Sequence, residues 1–429
     1  MTNLVPESSP QTAVSRQSIW RNDAFRKFWL GRTISMFGSQ ISTLALPLLA
    51  SLTIGATTGQ MAGLWGIQFL PHFLIGLFAG AWIDRLPRRP VLIAADLGRA
   101  ALLLILPIAG IAGMLRMEVL YAVAILVNVL SVFADAADNA YLPAIVPTAQ
   151  LIDANVKLST SVSVARVAGS GLAGLLIDLL WASGAIAVDA LSFVVSAAAL
   201  TLIRTREPAP DVPAERRSIW ADIGEGLRTF YGNRTLRTFL AMTMTYDLFW
   251  NTLFAVYFVY VTRELGLPAT AIGIIFAVGS GGALLGALLT DRITRRVGIG
   301  PAIIGTQVVL GAAVPLIALP LWLPALALPI LVTAEFILGF MYCISYISRA
   351  SVIQTIVPNR LRARVSASGT FVSLGIVLVG ALLGGVLGEY VGVPAAIVIG
   401  AFGGFPSFLW VLFSPVRTMR TLPPPSDES

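Results

Sequence analysis

Apolar residues run in stretches of about 20 along nearly the whole chain, and short polar segments between them carry most of the charge. A stretch of that length spans the hydrocarbon core of a bilayer when wound as a helix. Twelve are predicted, at 28–52, 61–83, 91–113, 118–140, 158–180, 183–203, 236–261, 270–290, 300–320, 324–347, 366–388 and 394–414. The expected class is an all-α membrane protein of twelve transmembrane helices. Residues 1–27 read as a polar, disordered tail (1–17) followed by an amphipathic interfacial helix at 18–29 that runs into the first span. Residues 204–235 form the only long loop, with a solvated Pro-rich first half and an amphipathic, basic second half from Ile219 to Tyr231, expected on the inner membrane surface. Residues 415–429 form a second tail, expected to be disordered from Leu422.

The chain repeats itself. Gly80 at the end of the second span and Asp84, Arg85, Arg88 and Arg89 after it are matched at the same spacing by Ala287 at the end of the eighth and Asp291, Arg292, Arg295 and Arg296 after it. Ile145, Val146 and Pro147 recur as Ile356, Val357 and Pro358, 211 residues on, and Gly169, Gly174 and Asp178 recur at that offset as Gly380, Gly385 and Glu389. Two pseudo-symmetric six-helix halves, 28–203 and 236–414, are therefore expected, with the working site at their interface near the bilayer midplane.

Composition agrees: 56% of residues are hydrophobic, 12% are charged, and the mean hydropathy is +0.83. Soluble domains carry about twice that charged fraction. The net charge of +7 is not a nucleic-acid surface, because its distribution follows topology. The tails and the even-numbered loops hold 24 of the 29 Lys and Arg, whereas the odd-numbered loops hold only Arg116 and Arg263. By the positive-inside rule both termini face the cytoplasm. Residues 1–15 have no basic n-region and no apolar h-region, so the first span is expected to serve as the insertion signal. The single cysteine, Cys343, excludes an intramolecular disulfide. No phosphate-loop motif is present, and ATP is not the expected energy source.

The loop after span two resembles the signature of the major facilitator superfamily, with Pro87 where glycine is usual, and the resemblance covers residues 20–415. Tyr141 to Pro147, Ala154 with Asn155, Asp189 to Phe193, and Gly226 to Arg228 resemble the drug:proton antiporter branch that holds macrolide efflux pumps and the enterobactin exporter. Gly169, Ser170 and Gly171 stand where the antiporter signature of span five would place Gly-Pro. The resemblance implies a monomeric carrier in the bacterial cytoplasmic (inner) membrane, working by alternating access on the proton motive force, without a cofactor or metal. It also implies that Asp84, Arg85 and Arg88 form a latch, for which Asp135 and Asp138 near the inner end of span four are candidate partners.

Charges within spans are costly and point to function. Asp247 and Glu335 each sit about 11 residues into spans seven and ten, at positions where the resemblance implies proton-titrating carboxylates. Asp178, Asp189 and Glu389 fall near the outer interface and read as solvated or helix-terminal. Arg32, Asp96, Arg99 and Arg166 read as an inner ion-pair cluster, and His72 as a packing histidine. Gln40, Gln68, Asn128, Tyr246, Trp250, Asn251 and Tyr342 are the candidate cavity residues. The expected function is proton-driven export of an amphipathic or lipophilic small molecule. A siderophore or lysophospholipid transporter, or a non-transporting membrane sensor, are the alternatives; the absence of a His/Cys set or a Ser/His/Asp constellation argues against an enzyme.

Overall fold

The computed structural model describes residues 18–83, 85–205, 207 and 219–422. The expectations for residues 1–17, 208–213 and 423–429, and for Asp84, lie outside the described residues. Within them there is no strand, and the helices follow one another with short turns. The first half comprises α1 (Asp23–Leu48), α2 (Thr58–Ile83), α3 (Arg88–Ile111), α4 (Met117–Ile145) and α5 (Leu151–Thr201). The second comprises α6 (Ile219–Gly232), α7 (Arg234–Val259), α8 (Ala269–Val297), α9 (Ile299–Ala313), α10 (Ala327–Ile356), α11 (Asn359–Tyr390), α12 (Val393–Gly403) and α13 (Ser407–Leu412).

Nine helical stretches among the described residues are long and apolar enough to cross a membrane. One of them contains α5, whose 51 residues are far more than one crossing needs. It breaks at Trp181, which has φ 62° and ψ 162° and is the only non-glycine residue described with a positive φ. That break is the turn between spans five and six. With α2 and α7, 26 residues each, the stretches make the twelve spans. Backbone that leaves the α pattern recurs at equivalent places: α1 and α7 each end in a π-helical segment, at Leu49–Ile54 and Tyr260–Glu264.

Both described termini lie at one end of the bundle, here called the linker end. Asn22 Nδ2 donates to the Ile145 carbonyl at 2.8 Å, and Ile299 N donates to the Arg420 carbonyl at 3.3 Å. Asn22 also caps α1 by accepting from Phe25 N at 3.1 Å. The separate interfacial helix expected at 18–29 does not form. A single 3₁₀ turn, Ile19–Arg21, precedes the cap, and residues 23–29 are the first turns of α1 itself. Burial explains this: Ile19 and Phe25 are fully buried, and Trp20 packs edge-on against Trp29.

The second half of the linker also differs from its expectation. Helix α6 docks on α11. Arg364 pairs with Asp222 at 3.0 Å and with Glu225, and Ser368 Oγ donates to the Ile223 carbonyl at 3.0 Å. Gly226 faces this contact, where a Cβ would lie 2.1 Å from Ser368 Oγ and 2.5 Å from the Arg364 carbonyl. The apolar face of α6, ending in buried Phe230, covers Leu236 and Val365. Helices α8 and α10 meet as closely, since a Cβ on Gly339 would lie 2.0 Å from the Gly279 carbonyl. Small residues permit such approaches, in which packing rather than hydrophobic transfer holds membrane helices together.

Candidate transport site

The two halves touch mainly where α5 meets α8 and where α2 meets α11. Contacts across this interface concentrate at the end opposite the linker. There Arg263 Nη2 donates to the carbonyls of Ser51 and Ala56 at 2.9 and 2.8 Å, and the hydroxyls of Ser51 and Thr262 lie 2.7 Å apart. At mid-depth Trp65 Nε1 donates to Asn251 Oδ1 at 3.0 Å, and Phe73 stacks on Phe371 with centroids 4.7 Å apart. Towards the linker end the walls part, and a cleft of about 660 Å³ separates α5 from α8 between Asn155 and Leu288.

A second cavity, of about 470 Å³, lies in the C-terminal half towards the linker end. Helix α7 supplies Thr243 and Asp247 to its wall, α10 supplies Tyr342, Tyr346 and Arg349, and α11 supplies Ser373. Ser373 Oγ donates to Asp247 Oδ2 at 2.9 Å, and Arg349 Nη1 donates to Thr243 Oγ1. The wall therefore carries a carboxylate and a guanidinium that are each held by a hydroxyl rather than by each other. Aromatic rings continue inward: Tyr342 and Tyr246 are 6.3 Å apart, Tyr246 and Trp250 6.2 Å, and Trp250 and Phe254 5.7 Å. The arrangement offers apolar area with a few fixed polar contacts, as small-molecule sites do.

Of the candidate cavity residues, Tyr246, Trp250, Asn251 and Tyr342 gather around Asp247, and Asn251 Nδ2 donates to the Asp247 carbonyl at 2.7 Å. The other three stay in the first half. Gln68 and Asn128 donate to carbonyls one turn back in their own helices, Leu64 and Ala124, and Gln40 packs where α1 meets Gly169 of α5. Glu335 does not share the cavity with Asp247. It is 8% exposed, lies against Gly279 of α8, and its Oε1 has no hydrogen-bond partner among the described residues. Trp65 and Arg349 were not singled out from sequence. Arg349 falls two residues past the predicted end of span ten, in the even-numbered loop that follows; α10 continues to Ile356 and carries it inside.

The charges of the first half pair differently from expectation. Asp138 lies against Arg32, whose Nε is 2.9 Å from Oδ2, and not against the loop arginines. Asp135 is 3.5 Å from Arg32 and 3.7 Å from His72, which ties the histidine to α4. Arg99 pairs with Asp96, one turn away in α3, and stands 4.2 Å over the Phe193 ring. Arg88 and Arg89 clasp the end of span six: Glu207 accepts from the Arg88 backbone N–H at 2.9 Å, and Arg89 donates to the carbonyls of Leu200 and Thr201 at 2.9 and 2.7 Å. Glu207 thus caps the start of α3. Arg85 is exposed. Asp189 is not solvated; it is 1% exposed and accepts from Ser42 and Ser192.

Two pseudo-equivalent helical halves, joined at one end and parted at the other around a cavity with charged and aromatic walls, define a multi-pass membrane carrier. The chain belongs to the Major Facilitator Superfamily, whose model matches residues 28–378. The multidrug efflux pump Tap of Mycolicibacterium fortuitum is 30% identical over 366 residues, covering 80% of this chain and 85% of that pump. Macrolide efflux protein A of Streptococcus pyogenes is 26% identical over 223 residues, 52% of this chain and 55% of that protein. Among solved structures, a bacterial homologue of the iron transporter ferroportin in an inward-facing state superposes with a TM-score of 0.71 at 17% identity, over 92% of this chain and 100% of the other. At that identity the likeness shows the fold alone.

Proposed function

We propose that the protein exports amphipathic or lipophilic small molecules from a bacterial cell in exchange for protons, by alternating access of its two halves. The observation that carries this reading is Asp247 on the wall of a cavity open towards the linker end, beside Arg349 and an aromatic track. A hydroxyl such as that of Ser373 serves either protonation state of a carboxyl group, because it can donate or accept. Desolvation disfavours the charged form of a carboxylate at membrane depth, and entry of water favours it again. Rocking the halves would therefore change proton affinity and substrate access together. The relatives named for multidrug and macrolide efflux support export and a drug-like substrate class.

The linker end is assigned to the cytoplasm because the basic residues crowd there. A reporter inserted after Ala214 is expected to read cytoplasmic, and one after Ala182 external; the reverse would invert the export direction. The transport reading is tested in proteoliposomes under an imposed pH gradient. Addition of a substrate found by screening drug-sensitive cells should produce proton movement that wild-type protein supports and Asp247→Asn does not. The same screen includes siderophores and lysophospholipids. Substrate binding with no proton movement and no flux would leave a sensor in place of an exporter.

A further inference from the structure

The offset of 211 residues that relates the two halves also relates two hydrogen-bonded caps that join them at the end opposite the linker. Asp178, near the end of span five, accepts from Thr270 N at 2.9 Å and from the Thr270 hydroxyl. Glu389, near the end of α11, accepts from Gly59 N at 2.9 Å. Asp178 and Glu389 are 211 apart in sequence, and so are Gly59 and Thr270. Each acceptor therefore meets the second residue of a helix in the opposite half: Glu389 meets α2, which starts at Thr58, and Asp178 meets α8, which starts at Ala269. The first N–H groups of a helix lack partners within it and carry its positive dipole end, so a carboxylate is well placed there.

The surrounding contacts obey the same symmetry. A Cβ on Gly273 would lie 3.0 Å from Gly174 Cα, and one on Gly385 2.8 Å from the Ala62 side chain; Gly174 and Gly385 are 211 apart, and so are Ala62 and Gly273. Ser51 and Thr262, whose hydroxyls touch across the interface, are also 211 apart. Each lies in one of the paired π-helical segments. A pseudo-two-fold contact between halves that must separate is a gate.

We infer that Asp178 and Glu389 form a symmetric pair of trans-caps that holds this end shut, and that opening it requires both carboxylates to leave the helix starts of the opposite half. The caps are not equal in strength. Helix α2 has a capping box of its own, in which Thr57 N donates to Gln60 Oε1 at 2.9 Å and Gln60 N to Thr57 Oγ1 at 3.3 Å. Helix α8 starts after Pro268 and has no side-chain cap of its own. Asp178 thus supplies what α8 lacks, whereas Glu389 adds to a cap already present.

The experiment measures distances without any substrate. In a Cys343→Ser background, spin labels at Trp181 and Trp322 report the closed end, and labels at Leu86 and Val297 report the linker end; all four residues are exposed. In nanodiscs, Asp178→Ala should raise the ratio of open to closed population at the first pair by about fivefold. Glu389→Ala should raise it less, and the double variant by about twentyfold, with the linker-end pair shortening in step. Asp178→Asn and Glu389→Gln keep shape and one acceptor and should shift the ratio by smaller amounts; they serve as the folded test if the alanine variants do not accumulate. Wild-type distance distributions in well-folded Asn and Gln variants, or a lowered Tm with no change in either distance, would overturn the inference.

Discussion

The two halves share a fold but treat their ionisable side chains differently. In the first, Arg32, Asp135, Asp138 and His72 form one connected group, and Asp96 and Arg99 form a second, so each of these three acids has a base beside it, whereas Asp189 is held by the Ser42 and Ser192 hydroxyls. In the second, Asp247 is held by the Ser373 hydroxyl, Arg349 by that of Thr243, and Glu335 Oε1 by no group among the described residues. An opposite charge at contact stabilises one protonation state, whereas a hydroxyl can accompany either. Duplication thus supplied two bundles of one shape. Within the spans, the first ties three of its acids to bases, and the second holds Asp247 and Arg349 by hydroxyls, the arrangement on which the proposed proton exchange rests.

The strongest way to break this comparison is to neutralise the carboxylates of the second half. Asp247→Asn and Glu335→Gln should each lower efflux against a gradient by about a hundredfold or more, as expected when the ligand that drives a population shift no longer binds. Downhill exchange of substrate should remain measurable, which separates lost coupling from misfolding. The double variant should be little worse than the worse single one if both act in one step. Full gradient-driven efflux in both single variants would remove these residues as proton carriers and move attention to Asp96, Asp135 and Asp138.

The next effect is on stability in the first half. Arg99→Leu leaves Asp96 buried without its partner and should cost about 3–5 kcal/mol, read as a fall of more than about 5 °C in Tm in detergent. Adding Asp96→Leu should restore most of it. Equal Tm values for the single and double variants would show that the pair is not the tie described here.

A smaller effect concerns the linker. Gly226→Val forces a side chain into the contact with Ser368 and Arg364 and should cost about 1–3 kcal/mol, with Tm as the measure. No change would mean that α6 is not firmly docked on the second half. The smallest contrast lies in the repeated loop. Asp291 is exposed and, among the described residues, its only ion pair is with Arg295 in its own helix, so Asp291→Asn should leave both Tm and transport unaltered. Asp84→Asn should impair transport while leaving insertion intact; wild-type transport by that variant would refute a latch at Asp84.

Much of the architecture was legible because a bilayer imposes its thickness on the sequence. The twelve spans, their pairing into halves and the amphipathic character of 219–231 follow from run length, repetition and charge. The candidate site was legible in part. Asp247 and its aromatic neighbours share a helical face or an adjacent helix, so depth alone brings them near one another. Arg349 escaped notice because hydropathy falls from Ser348 onward, while the helix continues to Ile356. Asp189 was misplaced for a related reason: depth along a helix does not say which neighbour faces it, and Ser42 from α1 does.

By itself the sequence determined the number of crossings, the two-fold repeat and which carboxylates lie at membrane depth, since each depends only on apolar length and on spacing along the chain. The tertiary structure alone decided that Asp138 meets Arg32, that Glu207 caps α3, that Glu335 is sealed against Gly279 while Asp247 faces a cavity, and that Asp178 and Glu389 reach across to the opposite half. Those outcomes depend on the rotation of each helix about its axis and on the close approaches that small residues permit between helices. Neither is a property of one segment, because both are set by packing of side chains from segments up to hundreds of residues apart.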